Sequence, residues 1–215
     1  MLKADFHIHT KYSMDCHTEP EDIVKRCQAL GINCIAVSDH DAVEGALKLK
    51  EIASFKVIVA EEVLTYSGEV MGMFLKERIA SGITLEDAIK AIKAQGGLVS
   101  ISHPFDPIRG LRLNEEAIEK LVPQIDLIEV FNARCTSEKP NEKAREFAKT
   151  HNLPGCAGSD AHTTGEIGNV FVEMTDFNSP AEFLSSLKKA QIMGKRASPL
   201  VHVHSTMAKI KKIFL

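Results

Sequence analysis

Two pairs of residues in the sequence have the type and spacing of metal ligands. His7 and His9 are two residues apart, as are Asp160 and His162. In an extended segment, residues with this spacing project from the same face, and their Cα atoms are about 6–7 Å apart. Both side chains of a pair can therefore bind one cation. Ligands of the His, Asp and Glu types without thiolate favour Zn, Mn or Fe over a closed structural zinc site.

Further clusters of His, Asp and Glu follow short apolar runs along the chain. Together they give eight candidate metal ligands: His7, His9, Asp15, His40, Glu62, His103, Asp160 and His162. Eight ligands are too many for one tetrahedral ion, and the set predicts two or three divalent ions bridged by carboxylates. The other histidines, His17, His151, His202 and His204, are not predicted to be ligands. His202 and His204 follow Pro199 near the C-terminus, and we expect them at the surface or in a partner contact.

The elements that must position these clusters alternate between strands and helices. Apolar β-rich runs predict strands at residues 3–7, 33–38, 57–60, 70–74, 98–101, 127–131, around 155–158, and 169–173. Helices are predicted at 22–30 after a capping box at Thr18–Glu21, from Thr84 to 95, at 115–122 after Asn114, and after a capping box at Ser179–Glu182. Continuously apolar strands are typical of a parallel sheet.

The positions of the clusters favour a barrel. Each cluster lies at the C-terminal end of a predicted strand, and in a parallel barrel these ends converge on one rim. No glycine-rich phosphate-binding loop follows the first strand, which disfavours a nucleotide-binding sheet. We therefore expect an α/β fold of the barrel type, a single domain over residues 1–215 that a C-terminal strand and helix complete.

Composition excludes several classes of protein. The chain has 26 basic and 29 acidic residues, a net charge of −3, so overall positive charge does not hold it to nucleic acid. The five cysteines have no CxxC pair, which favours a reducing compartment. The charged N-terminus is unlike a signal peptide, and no apolar stretch is long enough for a membrane span. We expect a cytoplasmic protein with no membrane partner.

The ordered motifs resemble those of the PHP family, which is named for polymerase-associated and histidinol phosphatase domains. They lie between residue 5 and about residue 168: Asp5-Phe6-His7-Ile8-His9-Thr10, Asp15, Ser38-Asp39-His40-Asp41, Glu62, Ser102-His103-Pro104 and Gly158-Ser159-Asp160-Ala161-His162. The resemblance implies a distorted (β/α)7 TIM-like barrel that holds two or three divalent metal ions (Zn, Mn or Fe) and cleaves phosphate esters.

The resemblance also implies which residues hold each ion. The first metal would be held by His7, His9, Glu62 and Asp160. Glu62 would bridge to a second metal that also binds His103. The third would be held by Asp15, His40 and His162. Glu62 is preferred to Glu61 because the family glutamate is usually followed by a β-branched residue, here Val63.

Met71 departs from the family pattern. Many members have a histidine at this place as another ligand of the second metal, and a thioether is a poor ligand for hard divalent ions. The second metal is thus expected to be weaker, completed by water, or bound by a neighbour such as Glu69.

The leading functional hypothesis is a hydrolase of small phosphomonoesters, such as a nucleotide or histidinol phosphate, with a metal-activated hydroxide as the nucleophile. Candidate catalytic residues are His40 and His103, as proton donors, and Asp160. Candidate contacts to the phosphate are Arg134 first, then Arg109 and Lys11, with Asn132.

Three other functions stay open at this point. One is a 3′-exonuclease-type phosphodiesterase acting on nucleic-acid ends, which the acidic charge, two tyrosines and absent tryptophan disfavour. Another is a non-catalytic metal-binding regulatory module, which Met71 would favour. The last is a metal-dependent amidohydrolase, although no lysine lies at a predicted strand end. The sequence leaves the oligomeric state open.

Overall fold

Strands and helices alternate along the computed structural model, which describes residues 1–109, 111, 113, 115–198 and 201–213. The strands are β1 (Leu2–Ile8), β2 (Cys34–Val37), β3 (Lys56–Thr65), β4 (Gly68–Met73), β5 (Leu98–Ile101), β6 (Leu127–Asn132), β7 (Gly155–Gly158), β8 (Val170–Met174) and β9 (Gln191–Gly194). The helices are α1 (Pro20–Leu30), α2 (Glu44–Ile52), α3 (Leu85–Ala94), α4 (Glu115–Leu121), α5 (Lys139–Thr150), α6 (Pro180–Leu187) and α7 (Val201–Ile213), with a short 3₁₀ helix at Val122–Gln124. The eight expected strands are present, whereas α2 and α5 were not predicted.

The sheet nearly closes into a barrel. Its strand order is β7-β6-β5-β4-β3-β2-β1-β8-β9, and the pairs β1–β2, β2–β3, β5–β6 and β6–β7 are parallel. The ends of β1 and β7 meet through a parallel bridge between Ile8 and Ala161. The amide of His9 donates to the carbonyl of Ala161 over 2.9 Å. Strands β1 to β7 therefore form the distorted seven-stranded barrel that the resemblance implies.

The close approach of β7 to β1 depends on Gly158. A Cβ atom at this position would lie 2.1 Å from Cβ of His7, so any other residue would push the two strands apart. Ser159 then ties the strands together, because its amide donates to Oδ1 of Asp5 over 2.8 Å.

The sheet is not parallel throughout, which corrects the expectation drawn from the apolar runs. β4 is antiparallel to β3 and β5, β8 to β1, and β9 to β8. The reason at β4 is the short turn after Thr65, whose hydroxyl donates to the carbonyl of Gly68 over 2.6 Å. A turn of two residues can join only antiparallel strands. β3 also continues through Glu61 and Glu62 to Thr65 rather than ending before them.

The helix starts agree with the capping patterns at two places and not at a third. The hydroxyls of Thr84 and Ser179 accept hydrogen bonds from the amides three residues later, as predicted. The capping box at Thr18–Glu21 is wrong: α1 begins at Pro20 and has no side-chain cap. The Thr18 hydroxyl instead donates to the carbonyl of His162 over 3.0 Å. Asn114 lies outside the described residues.

Buried apolar side chains form two clusters. One joins the helices to the strands and includes Ile23, Leu49 and Ile92. The other includes Ala60, two residues before Glu62 on β3, and Met71, which is opposite Glu62 on β4. None of the described helices is long and apolar enough to cross a membrane.

Candidate metal centre

A local irregularity in β1 lies where His7, and His9 directly after the strand, approach residues from other parts of the barrel. The register of β1 against β2 shifts between Asp5 and Ile8, and such shifts re-aim side chains next to functional sites. Nε2 of His7 lies 3.1 Å from Nε2 of His9 and 3.3 Å from Oε2 of Glu62. Nε2 of His9 lies 3.3 Å from Oδ1 of Asp160. The four side chains implied for the first metal thus point at one another.

Glu62 also reaches the second implied ligand group. Its Oε1 lies 3.3 Å from Nε2 of His103, and His7, Glu62 and His103 form a buried group that could hold a metal ion. Met71 is buried directly opposite Glu62 in the register of β3 and β4, so it occupies the place beside the glutamate that the family pattern indicates. It offers an apolar contact there.

A third group surrounds the loop that follows β1. Oδ2 of Asp15 lies 3.1 Å from Nε2 of His162 and 3.5 Å from Nε2 of His40. These three residues and His9 could hold a metal ion, as the resemblance implies for the third site.

Glu69 lies with His40 rather than with His103. Its Oε1 is 3.1 Å from Nδ1 of His40, and the two residues form a further metal-capable group with Glu62. Glu69 therefore lies in a different group from the one whose missing histidine it was expected to replace.

Several buried polar atoms at the centre lack partners in the described part of the chain. Oε1 of Glu62 accepts no hydrogen bond, although His103 is near, and Nδ1 of His103 has no partner. Nε2 of His7 and of His9 face each other. Burying such groups is costly unless something satisfies them, and divalent cations of the Zn, Mn or Fe type would. The residues present therefore fit the metal ions that the resemblance implies.

Metal ligands must be deprotonated to bind, and the protonation states at this centre are mixed. Although burial opposes it, neighbouring carboxylates hold the pKa of His7 and of His40 well above the usual value, so these two rings must lose a proton to bind a metal ion.

Three other candidate ligands are already deprotonated. Burial and the neighbouring imidazoles lower the pKa of His9 to about 3, so its ring is neutral. Although burial opposes it, the His7 and His103 side chains hold the pKa of Glu62 well below its usual value. In the same way, His7 and Arg109 overcome burial and hold the pKa of Asp160 well below the ordinary range.

Two of the candidate ligands have a strained backbone. The φ angles of His103 and Asp160 are 30° and 54°, in a region that side chains with a Cβ rarely adopt. Such strain persists only where surrounding contacts enforce it, and it is concentrated at functional sites.

Glu129 is a functional residue that the sequence analysis missed. It is buried on β6, where its Oε1 lies 3.0 Å from Nδ1 of His7. Its Oε2 accepts hydrogen bonds from the amide of His103 over 2.7 Å and from Nδ2 of Asn132 over 3.0 Å. The signal that could have found it is a single carboxylate inside the apolar run Leu127–Asn132.

Two further buried carboxylates support the loops. Oδ1 and Oδ2 of Asp39 accept hydrogen bonds from the amide and hydroxyl of Thr10, over 2.5 and 2.6 Å. Burial raises the pKa of Asp39 to about 6, and it raises that of Asp5 to about 6 as well. Thr10 directly follows His9, so Asp39 fixes the end of the HxH segment.

Glu62, which the resemblance favours as the ligand, and Glu61 have different surroundings in the structure. Oε2 of Glu61 accepts a hydrogen bond from the amide of Ile79 over 2.9 Å. Among the metal-capable groups found in the described residues, Glu62 takes part in two and Glu61 in none.

The centre opens into a cavity of about 200 Å³. Six of the candidate ligands line it, together with Glu69, the cations Arg109 and Arg134, and three side chains of α7. His202 on α7 lines this cavity, and its Nε2 lies 3.0 Å from the carbonyl of Arg134. His202 was expected at the surface or in a partner contact, whereas α7 places it on the wall of this cavity, and it takes part in none of the metal-capable groups of the described residues. The side chain of His204 lies outside the described residues.

The four expected phosphate contacts have different surroundings. Lys11 pairs with Glu19 over 2.7 Å and is not among the residues that line the cavity. Asn132 is fully buried, and its amide joins Glu129, Asp160 and Arg109. Arg109 and Arg134 line the cavity, whereas Lys11 and Asn132 do not, so the two arginines are the better placed of the four to contact a substrate.

The two arginines are held by neighbouring residues. Arg109 pairs with Asp160 and, over 2.9 Å, with Asp106. Arg134 is buried, and it donates to His162 from Nη1 and to Oγ of Ser205 over 2.7 Å from Nη2. Arg134 therefore joins the ligand group to α7.

We expect the Arg134→Gln variant to release α7. The substitution removes the donor to Ser205 and the donor to the carbonyl of Val201 at 3.3 Å. Trypsin should cut the variant faster after Lys209 and Lys211 than it cuts the parent, as peptide mass analysis would show. Arg145→Gln, which removes an exposed pair with Glu138, is the control. Equal rates of cleavage in parent and Arg134→Gln would contradict this role.

The sequence matches two family models. Residues 5–144 match the PHP domain, and residues 138–192 match a region described as PHP-associated. An uncharacterised protein of Methanocaldococcus jannaschii is 33% identical over 197 residues, which cover 87% of this chain and 79% of that protein.

Two solved structures share the fold. A two-domain protein of Bacteroides vulgatus, described as containing a predicted PHP-like metal-dependent phosphoesterase, matches 90% of this chain with a TM-score of 0.73 and 19% identity. This chain spans 65% of the Bacteroides protein. A protein of Bifidobacterium adolescentis, whose name proposes a metal-dependent phosphoesterase, gives 0.67 and 17% identity over 86% of this chain and 96% of its own. At these identities the likeness shows the fold alone.

Proposed function

This chain belongs to the PHP family, and we propose that it is a metal-dependent phosphoesterase that hydrolyses small phosphomonoesters. One observation carries the proposal: metal-capable groups and two arginines surround the same open cavity at the rim of the barrel. Glu62 lies in two of those groups, and Arg109 and Arg134 line the same cavity.

Each element of the site has a part in the proposed reaction. Divalent ions bound there would neutralise the phosphoryl oxygens and activate the attacking water. Arginine offers paired N–H donors to phosphate. Arg109 would therefore bind the phosphate with the guanidinium N–H groups that Asp160 and Asp106 leave free. His40 and His103 both line the cavity, and whichever of the two binds no metal ion would give a proton to the leaving oxygen.

The shape of the site favours small substrates. The cavity has a volume of about 200 Å³, and α7 forms one of its walls. A net charge of −3 gives no overall attraction to nucleic acid. A small phosphorylated alcohol is therefore a better fit to this site than a polynucleotide end.

A substrate screen with metal analysis tests the function. Protein purified without chelator would be loaded with Mn or Zn and given nucleotides, sugar phosphates, histidinol phosphate and oligonucleotides. We expect hydrolysis of monoesters and at least two metal ions per chain by elemental analysis. Cleavage of oligonucleotides alone would favour an exonuclease. A metal-loaded protein that hydrolyses none of these compounds would contradict the proposal and favour a regulatory module.

Metal binding is also expected to raise the thermal midpoint. A ligand at a hundred times its Kd stabilises a folded protein by about 2.7 kcal/mol, which for a chain of this size raises the midpoint by about 5–10 °C. Differential scanning fluorimetry with and without Mn or Zn would measure the shift. Identical midpoints in the two conditions would count against a metal centre.

A further inference from the structure

The face that α7 presents to the cavity has a cation at its far end. His202, Ser205 and Lys209 line the cavity. Residues three, four and seven apart lie on one face of a helix, so these side chains form one row. In the described part of the chain, α7 contributes to none of the metal-capable groups.

Polar contacts on both sides of Lys209 fix α7 against the barrel. Arg134 donates to Ser205 over 2.7 Å, which secures the first half of the helix. Near the other end, Nζ of Lys212 donates to the carbonyl of Ser13 over 2.6 Å. Lys209 lies between these two anchors, so its position at the cavity is set by the helix rather than by its own contacts.

Lys209 differs from the other cations of the cavity because, within the part of the chain that the structure describes, its ammonium group has no charged partner. Arg109 is paired with Asp160 and Asp106, and Arg134 is bound to His162 and Ser205. Among the described residues, no hydrogen bond or ion pair engages the ammonium group of Lys209. A free lysine on a cavity wall attracts an anionic group of whatever enters.

We propose that Lys209 determines specificity by binding a second anionic group, a carboxylate or a phosphate, of a small phosphate ester. This inference rests on the proposed phosphoesterase function. The ester phosphate would occupy the part of the cavity lined by the candidate ligands, and the second group would reach the wall formed by α7. The substrate class is therefore an anionic phosphate ester rather than a neutral sugar or polyol phosphate.

Two matched pairs of substrates test the role of Lys209. In the first pair, 2-phosphoglycerate has a carboxylate where glycerol 2-phosphate has a hydroxymethyl group. In the second, glucose 1,6-bisphosphate has a phosphate that glucose 6-phosphate lacks. We expect Lys209→Gln to lower kcat/KM for the more anionic member of at least one pair by about three- to tenfold. The less anionic member should be hydrolysed as before, and Lys209→Arg should retain the preference.

Lys211→Gln is the matched control, because Lys211 is exposed on the same helix and does not line the cavity. It should leave all four kcat/KM values unchanged. An equal loss on both members of each pair, or no loss on any of them, would overturn the inference.

Calorimetry separates this inference from the proposed function, since binding of the same compounds needs no turnover. A protein that hydrolyses nothing but binds 2-phosphoglycerate or glucose 1,6-bisphosphate in a Lys209-dependent manner would refute the phosphoesterase and support this subsite. Affinities that are the same in parent and Lys209→Gln, or absent in both, would refute the subsite.

Discussion

Replacing Glu62 with Gln is expected to lower kcat/KM by more than about a hundredfold. This loss is larger than the one expected on removing a residue that only orients a metal ligand, which is about ten- to a hundredfold. The carboxylate lies 3.3 Å from His7 and from His103, and 3.6 Å from His9 and His40. An amide keeps the shape but replaces one oxygen with a donor and removes the bridging charge. Elemental analysis should show fewer metal ions per chain, and kcat/KM at saturating Mn would measure the loss.

Glu61→Gln is a control one residue away. Glu61 accepts a hydrogen bond from the amide of Ile79, apart from the ligand groups. Burial raises the pKa of Glu61 to about 7, so a neutral amide there replaces a group that is already partly protonated near neutral pH. Metal content and kcat/KM should stay within about twofold of the parent. Equal losses in the two variants would show that Glu62 has no special role.

The metal-capable groups could be predicted because most of their signals are local. His7 and His9, like Asp160 and His162, have a spacing of two residues that places both side chains of a pair on the same face. In a parallel barrel the C-terminal ends of the strands converge on one rim. Pairs that are distant in the sequence can therefore be placed together even when no contact between them is known. The choice of Glu62 over Glu61 rested on the family pattern, in which a β-branched residue follows the glutamate, as Val63 does here.

Features that depend on distant partners could not be predicted. Glu129 interacts with His7, 122 residues away, and nothing near Glu129 in the sequence indicates that contact. Thr18 fits a capping box, but its hydroxyl binds the carbonyl of His162, which the barrel closure brings near. The position of His202 depends on where α7 docks, and Arg134 fixes that docking through Ser205.

The direction of β4 shows a different limit. Its apolar residues are those of a buried strand in either direction, so composition cannot tell parallel from antiparallel. The two-residue turn before Gly68 decides the direction, and this turn also places Met71 opposite Glu62. The methionine at position 71, which departs from the family pattern, therefore lies directly beside Glu62.

Glu129→Gln is expected to lower metal affinity and kcat/KM by about ten- to a hundredfold, the range for carboxylates that orient metal-binding histidines. Oε1 of Glu129 favours the tautomer of His7 with its proton on Nδ1, which leaves Nε2 free to bind a metal. If the new amide nitrogen faced His7, it would favour the other tautomer. If the amide nitrogen faced the backbone N–H of His103 instead, two donors would face each other. Neither orientation therefore restores the hydrogen bonds of the parent protein. Titration with Mn or Zn and kcat/KM at saturating metal would measure both effects.

Glu173→Gln is the matched control, because Glu173 is exposed on β8, where it pairs with Lys3 at the start of β1 and takes part in none of the metal-capable groups of the described residues. It should bind metal as the parent does. Thermal midpoints separate orientation from support of the fold. A Glu129→Gln variant with a lower midpoint but the parent's metal affinity would show that the carboxylate only stabilises β6. Weaker metal binding with a midpoint near that of the metal-free parent would show instead that Glu129 sets the protonation of His7, and through it the affinity of the centre.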